Sequence, residues 1–128
     1  MSLRSPLGKV LGTGSAQQGV HHWWVQRLTS VALVPLSIWF LVSLLSLPSL
    51  DYWVVSAWMA QGSSALLLIL LVLVGAWHSQ LGLQVIVEDY VHGVGVRTLT
   101  LVAITFAHVL IGAAGVFAVL KVALRSAQ

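Results

Sequence analysis

The 128-residue sequence contains no cysteine. Disulfides, thiolate metal sites and iron–sulfur ligation are therefore excluded within it. Charge is almost as scarce. Six Lys and Arg and three Asp and Glu make up 7% of the chain, where a soluble domain carries about 25%. So few charges cannot cover a surface that faces water. The net charge of +3 and the pI near 10.0 reflect a shortage of acids. The basic residues never cluster, so there is no footprint for a nucleic acid. What remains is 59% hydrophobic, with a mean hydropathy of +0.98. Composition alone makes this an integral membrane protein.

The few charges act as punctuation. Uncharged stretches run over 28–50, 63–87 and 98–120, each long enough for the roughly 20 residues that a helix needs to cross the hydrocarbon core. Lipid offers backbone amides no partners, so each span is expected to be helical. The first span starts late, runs long and shows no small-residue cleavage site before Asp51, unlike a signal peptide. Pro35 within it is expected to free the Val31 carbonyl and kink the helix, with Ser30 or a neighbouring helix satisfying that carbonyl. Residues 1–20, rich in Gly, Ser and Gln, read as an irregular cytoplasmic tail. Residues 21–128 read as a single three-helix transmembrane domain, with 48–62 as a loop. There is no internal repeat.

Arg4, Lys9 and Arg27 precede span one and Arg97 lies between spans two and three, whereas only Lys121 and Arg125 fall on the other side. The positive-inside rule then puts the N-terminus inside and the C-terminus outside. Trp23, Trp24 and Tyr90 are expected in the inner aromatic belt, and Tyr52, Trp53 and Trp58 in the outer one.

His78 lies in span two, about 15 Å below the Glu88–Asp89 boundary at ~1.5 Å per residue. An ionisable group at that depth faces a partner or a cofactor. Neutral imidazole is a haem-iron ligand. Gly75 and Gly82 share its helix face and would leave a flat groove for a porphyrin edge. The same pattern equally suits two helices packed closely, with His78 bonded across their interface. Asp89 lies eleven residues on, on the same face three turns nearer the inner rim. With Tyr90 it could hydrogen-bond a quinone carbonyl and exchange protons with water. The same two residues could also simply end the span.

The segment His21–Arg27 gathers polar and aromatic groups at the inner end of span one. Arg27 can pair with a haem propionate or a lipid phosphate, or serve only as a positive-inside anchor. Trp23 is placed four residues away to stack on it. Ser30 and Ser37 share the Arg27 face, which suggests a stripe turned toward protein. His108, in span three, has a depth like that of His78. It could be a second axial ligand from the same chain or a hydrogen-bonded packing residue. His92 falls in the inner loop.

His21 to Arg27, His78-Ser-Gln-Leu-Gly82, the run Gln84-Val-Ile-Val-Glu-Asp89-Tyr90 and the following Arg97 together resemble the small hydrophobic anchors of succinate dehydrogenase, respiratory complex II. The likeness covers nearly the whole chain. It implies a membrane anchor that works beside a flavoprotein, an iron–sulfur protein and a second cytochrome b anchor subunit in a bacterial inner membrane. It implies a haem b with His78 as one axial ligand and a histidine of the second anchor as the other. Tyr90 would hydrogen-bond ubiquinone, Asp89 would support proton uptake, and His21 and Arg27 would lie near the propionates. His108 receives no role from the likeness. The chain has no flavin, nucleotide or hydrolytic motif and cannot oxidise succinate alone. Two other readings of the residues are a purely structural anchor without haem and a small transporter component.

Overall fold

The structure is a computed structural model that describes residues 16–125. Four helices occupy them: α1 (Ala16–Leu45), α2 (Tyr52–Ala60), α3 (Gly62–Tyr90) and α4 (Val94–Arg125). No strand occurs among the described residues. Of these helices, α1, α3 and α4 are long and apolar enough to cross a membrane. The protein is thus an all-α integral membrane protein with three membrane-spanning helices.

The helices do not stop where the charges do. α1 already includes residues 16–20, placed in the tail by composition; the remainder of that tail, with Arg4 and Lys9, lies outside the described residues. α1 ends at Leu45, short of Leu50, in a tightened turn in which Leu47 N–H donates to Leu44 O. Pro48 explains the stop, because a proline disfavours helical backbone in the residue before it and offers no N–H of its own. Pro35, by contrast, lies inside a continuous helix. The Ser30 hydroxyl donates to the Gln26 carbonyl rather than to that of Val31.

The 48–62 segment is not wholly a loop. Nine of its residues form α2, which spans only about 14 Å at the helical rise and so cannot cross the bilayer. It is amply apolar, and it packs on α3 and α4. Its Trp58 is buried against Ala65, Leu68 and Val119, stacked on Trp39 at 5.9 Å with Phe40 at 6.3 Å. Trp58 is thus a core residue and not a member of an aromatic belt. Tyr52 and Trp53 stay exposed, edge to face at 5.3 Å.

α3 is the centre of the layer. It packs on both α1 and α4, which do not pack on one another. The α3–α4 seam is closed by small residues. A Cβ on Gly112 would meet Ala76 Cβ at 3.7 Å, and one on Gly115 would lie 2.6 Å from Val72 Cγ1. Most other large apolar side chains of the three spans are exposed. That is the expected state of helices whose surroundings are lipid or further protein.

Candidate functional site

α1 and α3 meet along an antiparallel seam with heptad-like spacing. His22, Gln26, Thr29 and Leu33 follow at intervals of four, three and four on α1, and Gly75, His78 and Gly82 at three and four on α3. Such spacing keeps each set on one helix face. A Cβ on Gly75 would be 3.9 Å from Leu33 Cδ2, and one on Gly82 would be 3.6 Å from Gln26 Nε2. The groove beside the imidazole is therefore lined by α1 itself, and both glycines serve the approach of the two helices.

At the middle of this seam, His78 Nδ1 lies 2.9 Å from Thr29 Oγ1. Thr29 is only 6% exposed. Its hydroxyl oxygen is also 2.9 Å from the Val25 carbonyl and 2.9 Å from the Gln26 carbonyl. A hydroxyl has one proton to give. If it went to His78, two carbonyl oxygens would face the hydroxyl oxygen at hydrogen-bond distance with no proton between them. With the hydroxyl donating back to the α1 carbonyls, as helical threonines do, His78 must carry its proton on Nδ1 and donate it to Thr29. The network thus assigns the tautomer. Nε2 keeps its lone pair and has no hydrogen-bond partner among the described residues.

His108 is also mid-span, but it is arranged differently. Its Nδ1 is 2.8 Å from the Ile104 carbonyl, which can only accept, and its Nε2 is 3.2 Å from Ser79 Oγ, which then donates. Both ring nitrogens are engaged. His78 and His108 face different helices, so the possibility of one chain supplying both ligands of one haem is not realised here. Gln80 Nε2 donates to Thr105 Oγ1 at 3.5 Å beside them. These polar groups edge an open groove of about 680 Å³ between α3 and α4.

At the end of the layer that holds Tyr90 and Arg97, Glu88 accepts a hydrogen bond from Gln84 at 2.8 Å. Asp89 and Tyr90 are exposed, Tyr90 to 79%, and neither side chain has a hydrogen-bond partner among the described residues. Arg27 is exposed and lies 5.3 Å from the centroid of the Trp23 ring, the stacking that the four-residue spacing predicts. The protein-facing stripe of α1 is therefore not the Arg27 face. It runs through Thr29, reached from Arg27 by a turn of about 200° about the helix axis. His21 is exposed, and its neighbour His22 is turned inward. His22 Nε2 and Gln26 Oε1 are buried without a hydrogen-bond partner among the described residues. His92 is exposed in the turn between α3 and α4.

The sequence reading missed Thr29, His22 and Gln26. Their signal was present as the polar stripe 22, 26, 29, but it is legible only if helix α1 starts well before Arg27.

No group of three or more His, Asp or Glu side chains that could hold a metal ion occurs among the described residues. One mid-span imidazole with a free Nε2 is instead the donor set that suits an iron whose equatorial positions are already filled by a macrocycle.

The sequence model of the succinate dehydrogenase/fumarate reductase transmembrane subunit matches residues 1–120. The succinate dehydrogenase hydrophobic membrane anchor subunit of Rickettsia bellii (strain RML369-C) is 32% identical over 101 residues, 79% of this chain and 81% of that protein. The subunit of the same name from Paracoccus denitrificans is 28% identical over 103 residues, 80% of each chain. The succinate dehydrogenase membrane anchor subunit of Reclinomonas americana is 26% identical over 107 residues. With the family match running through all three spans, the chain belongs to the succinate dehydrogenase/fumarate reductase transmembrane subunit family.

Proposed function

We propose that this chain is the small membrane anchor of a succinate:ubiquinone oxidoreductase, that His78 is an axial ligand of a haem b, and that Asp89 and Tyr90 help form the quinone-reduction site. The observation that carries the reading is the free lone pair of His78 Nε2, held at mid-span by a bond on the other ring nitrogen. Bound haem would supply a one-electron carrier within the membrane. A histidine of a second cytochrome b anchor subunit would be the other ligand, because both ring nitrogens of His108 are already engaged. His21 and Arg27, both exposed, are available to the propionates at the inner rim.

Ubiquinone reduction needs two electrons and two protons. The Tyr90 hydroxyl can donate a hydrogen bond to a quinone oxygen, and the adjoining Asp89 carboxylate can pass protons from water. Succinate oxidation belongs to a flavoprotein and an iron–sulfur partner. In this reading the complex lies in a bacterial inner membrane, with the N-terminus and the 91–93 turn inside and Arg125 outside.

Gly75 and Gly82, both turned to α1, favour a second reading in which the seam is only structural and the anchor holds no haem. Haem content separates the two. The complex is purified in mild detergent, its partners are identified, and its b-type spectrum is compared with that of His78→Ala. Loss or marked change of the spectrum is expected in the variant. Unaltered haem content and spectrum would reject the ligand role.

A further inference from the structure

We infer that Thr29 is the positioning residue for the haem ligand: it accepts the Nδ1–H of His78 and so fixes the ring's tautomer, its orientation and its basicity toward iron. This rests on the reading of His78 as a ligand.

Three features of the seam lead there. Thr29 is buried, so water does not compete for its hydroxyl. The hydroxyl is oriented by two carbonyls of its own helix, each at 2.9 Å. With its proton turned to those carbonyls, the hydroxyl is left to accept through its lone pairs, and His78 Nδ1 lies 2.9 Å from its oxygen. A serine or threonine free to rotate would not select a tautomer, because it can donate as readily as it accepts. Here rotation costs the hydroxyl its own hydrogen bonds.

An acceptor on the far side of a ligating imidazole is the outer-shell device by which proteins orient the ring and raise its basicity, and its loss commonly weakens metal binding 10–100-fold. A more electron-rich imidazole favours the ferric state. Thr29 accordingly holds the haem potential down. The arrangement also separates the two deep histidines chemically. His78 donates a hydrogen bond from Nδ1 to a hydroxyl and keeps Nε2 free, whereas His108 accepts a hydrogen bond on Nε2 from Ser79.

The test uses the intact purified complex carrying Thr29→Val, Thr29→Ala or Thr29→Ser, with His78→Ala beside them. Haem retention on dilution and the midpoint potential by optical redox titration are the readouts. Val and Ala both remove the acceptor, one preserving the side-chain shape and the other relieving any crowding. Both are expected to retain a b-type haem whose midpoint rises by an amount equivalent to about a tenfold shift in the ferric-to-ferrous preference, roughly 59 mV for one electron. Both should also lose haem about tenfold faster. Ser restores both values. A wild-type potential and retention in Val and Ala, with haem lost from His78→Ala, would overturn the role of Thr29 and leave the ligand assignment standing. Intact haem in His78→Ala would instead overturn the assignment itself. A measurement on the unsubstituted complex needs no variant. Nitrogen-15 histidine NMR of the reduced, diamagnetic state should show His78 Nδ1 protonated, and an unprotonated Nδ1 would refute the inference.

Discussion

His78 and Ser79 are neighbours in the chain that serve opposite seams, one bonded to Thr29 of α1 and the other to His108 of α4. The helical step of about 100° between consecutive residues is enough to divide two similar imidazoles between different jobs. Substituting His108 should therefore leave haem behind: His108→Ala is expected to keep wild-type haem stoichiometry while His78→Ala does not. Equal haem loss in both, measured in the same preparation, would mean that the two rings are not distinguished as drawn.

Asp89 and Tyr90 face outward at the rim, without internal hydrogen bonds to lose. Tyr90→Phe and Asp89→Asn should thus fold normally. Removing a hydrogen bond to the quinone is worth roughly 1 kcal/mol or somewhat more, so ubiquinone reduction should fall about fivefold to tenfold. Succinate oxidation with an artificial acceptor should stay at its original rate. Unchanged quinone kinetics would remove both residues from the site.

Gly112 and Gly115 both close the α3–α4 seam but differ in tolerance. A methyl on Gly112 makes an ordinary contact with Ala76, whereas one on Gly115 runs into a β-branched side chain close to its backbone. Overpacking of this kind costs about 1–3 kcal/mol. Gly115→Ala should lower the thermal midpoint of the solubilised complex, and Gly112→Ala should not. The reverse order would indicate a different register between the helices.

Trp58→Ala should be the most damaging change among the aromatics, costing about 3 kcal/mol through the cavity it leaves. Trp53→Ala, at an exposed neighbour, should cost little. Denaturation of the two variants in detergent compares them directly.

Orientation is open to a direct test because the chain has no native cysteine. Single cysteines at positions 92 and 53, probed with a membrane-impermeant maleimide on sealed vesicles of each polarity, should label from opposite sides, with position 92 reached from the cytoplasm. Labelling of position 92 from outside would invert the topology.

The three spans were readable because charge is so costly in lipid that nine charged residues outline them. Helix ends were less readable. Uncharged residues such as Ser46 to Leu50 can leave a helix without leaving a hydropathy window, and Pro48 was the clue. α2 was hidden because a nine-residue apolar stretch is too short to count as a span, and the burial of Trp58 depends on Trp39 and Phe40, some twenty residues earlier. His78 was legible from depth alone. Its partner was not, because placing Thr29 opposite it requires the rotational phase of α1, which follows from where that helix begins. The same missing phase put the protein-facing stripe of α1 on Arg27 and drew attention to His21 instead of His22.

α1 and α4 touch α3 but not each other. A push or pull that a neighbouring subunit exerts on one outer helix reaches the other through the middle one, or through Trp58 of α2, which stacks on Trp39 of α1 and packs with Val119 of α4. That middle helix bears both the deep imidazole and the acid–phenol pair, so it acts as a shaft shared by two levers. Events at the rim and the aim of the ring at mid-membrane are thereby mechanically tied, with about three turns of stiff helix between them.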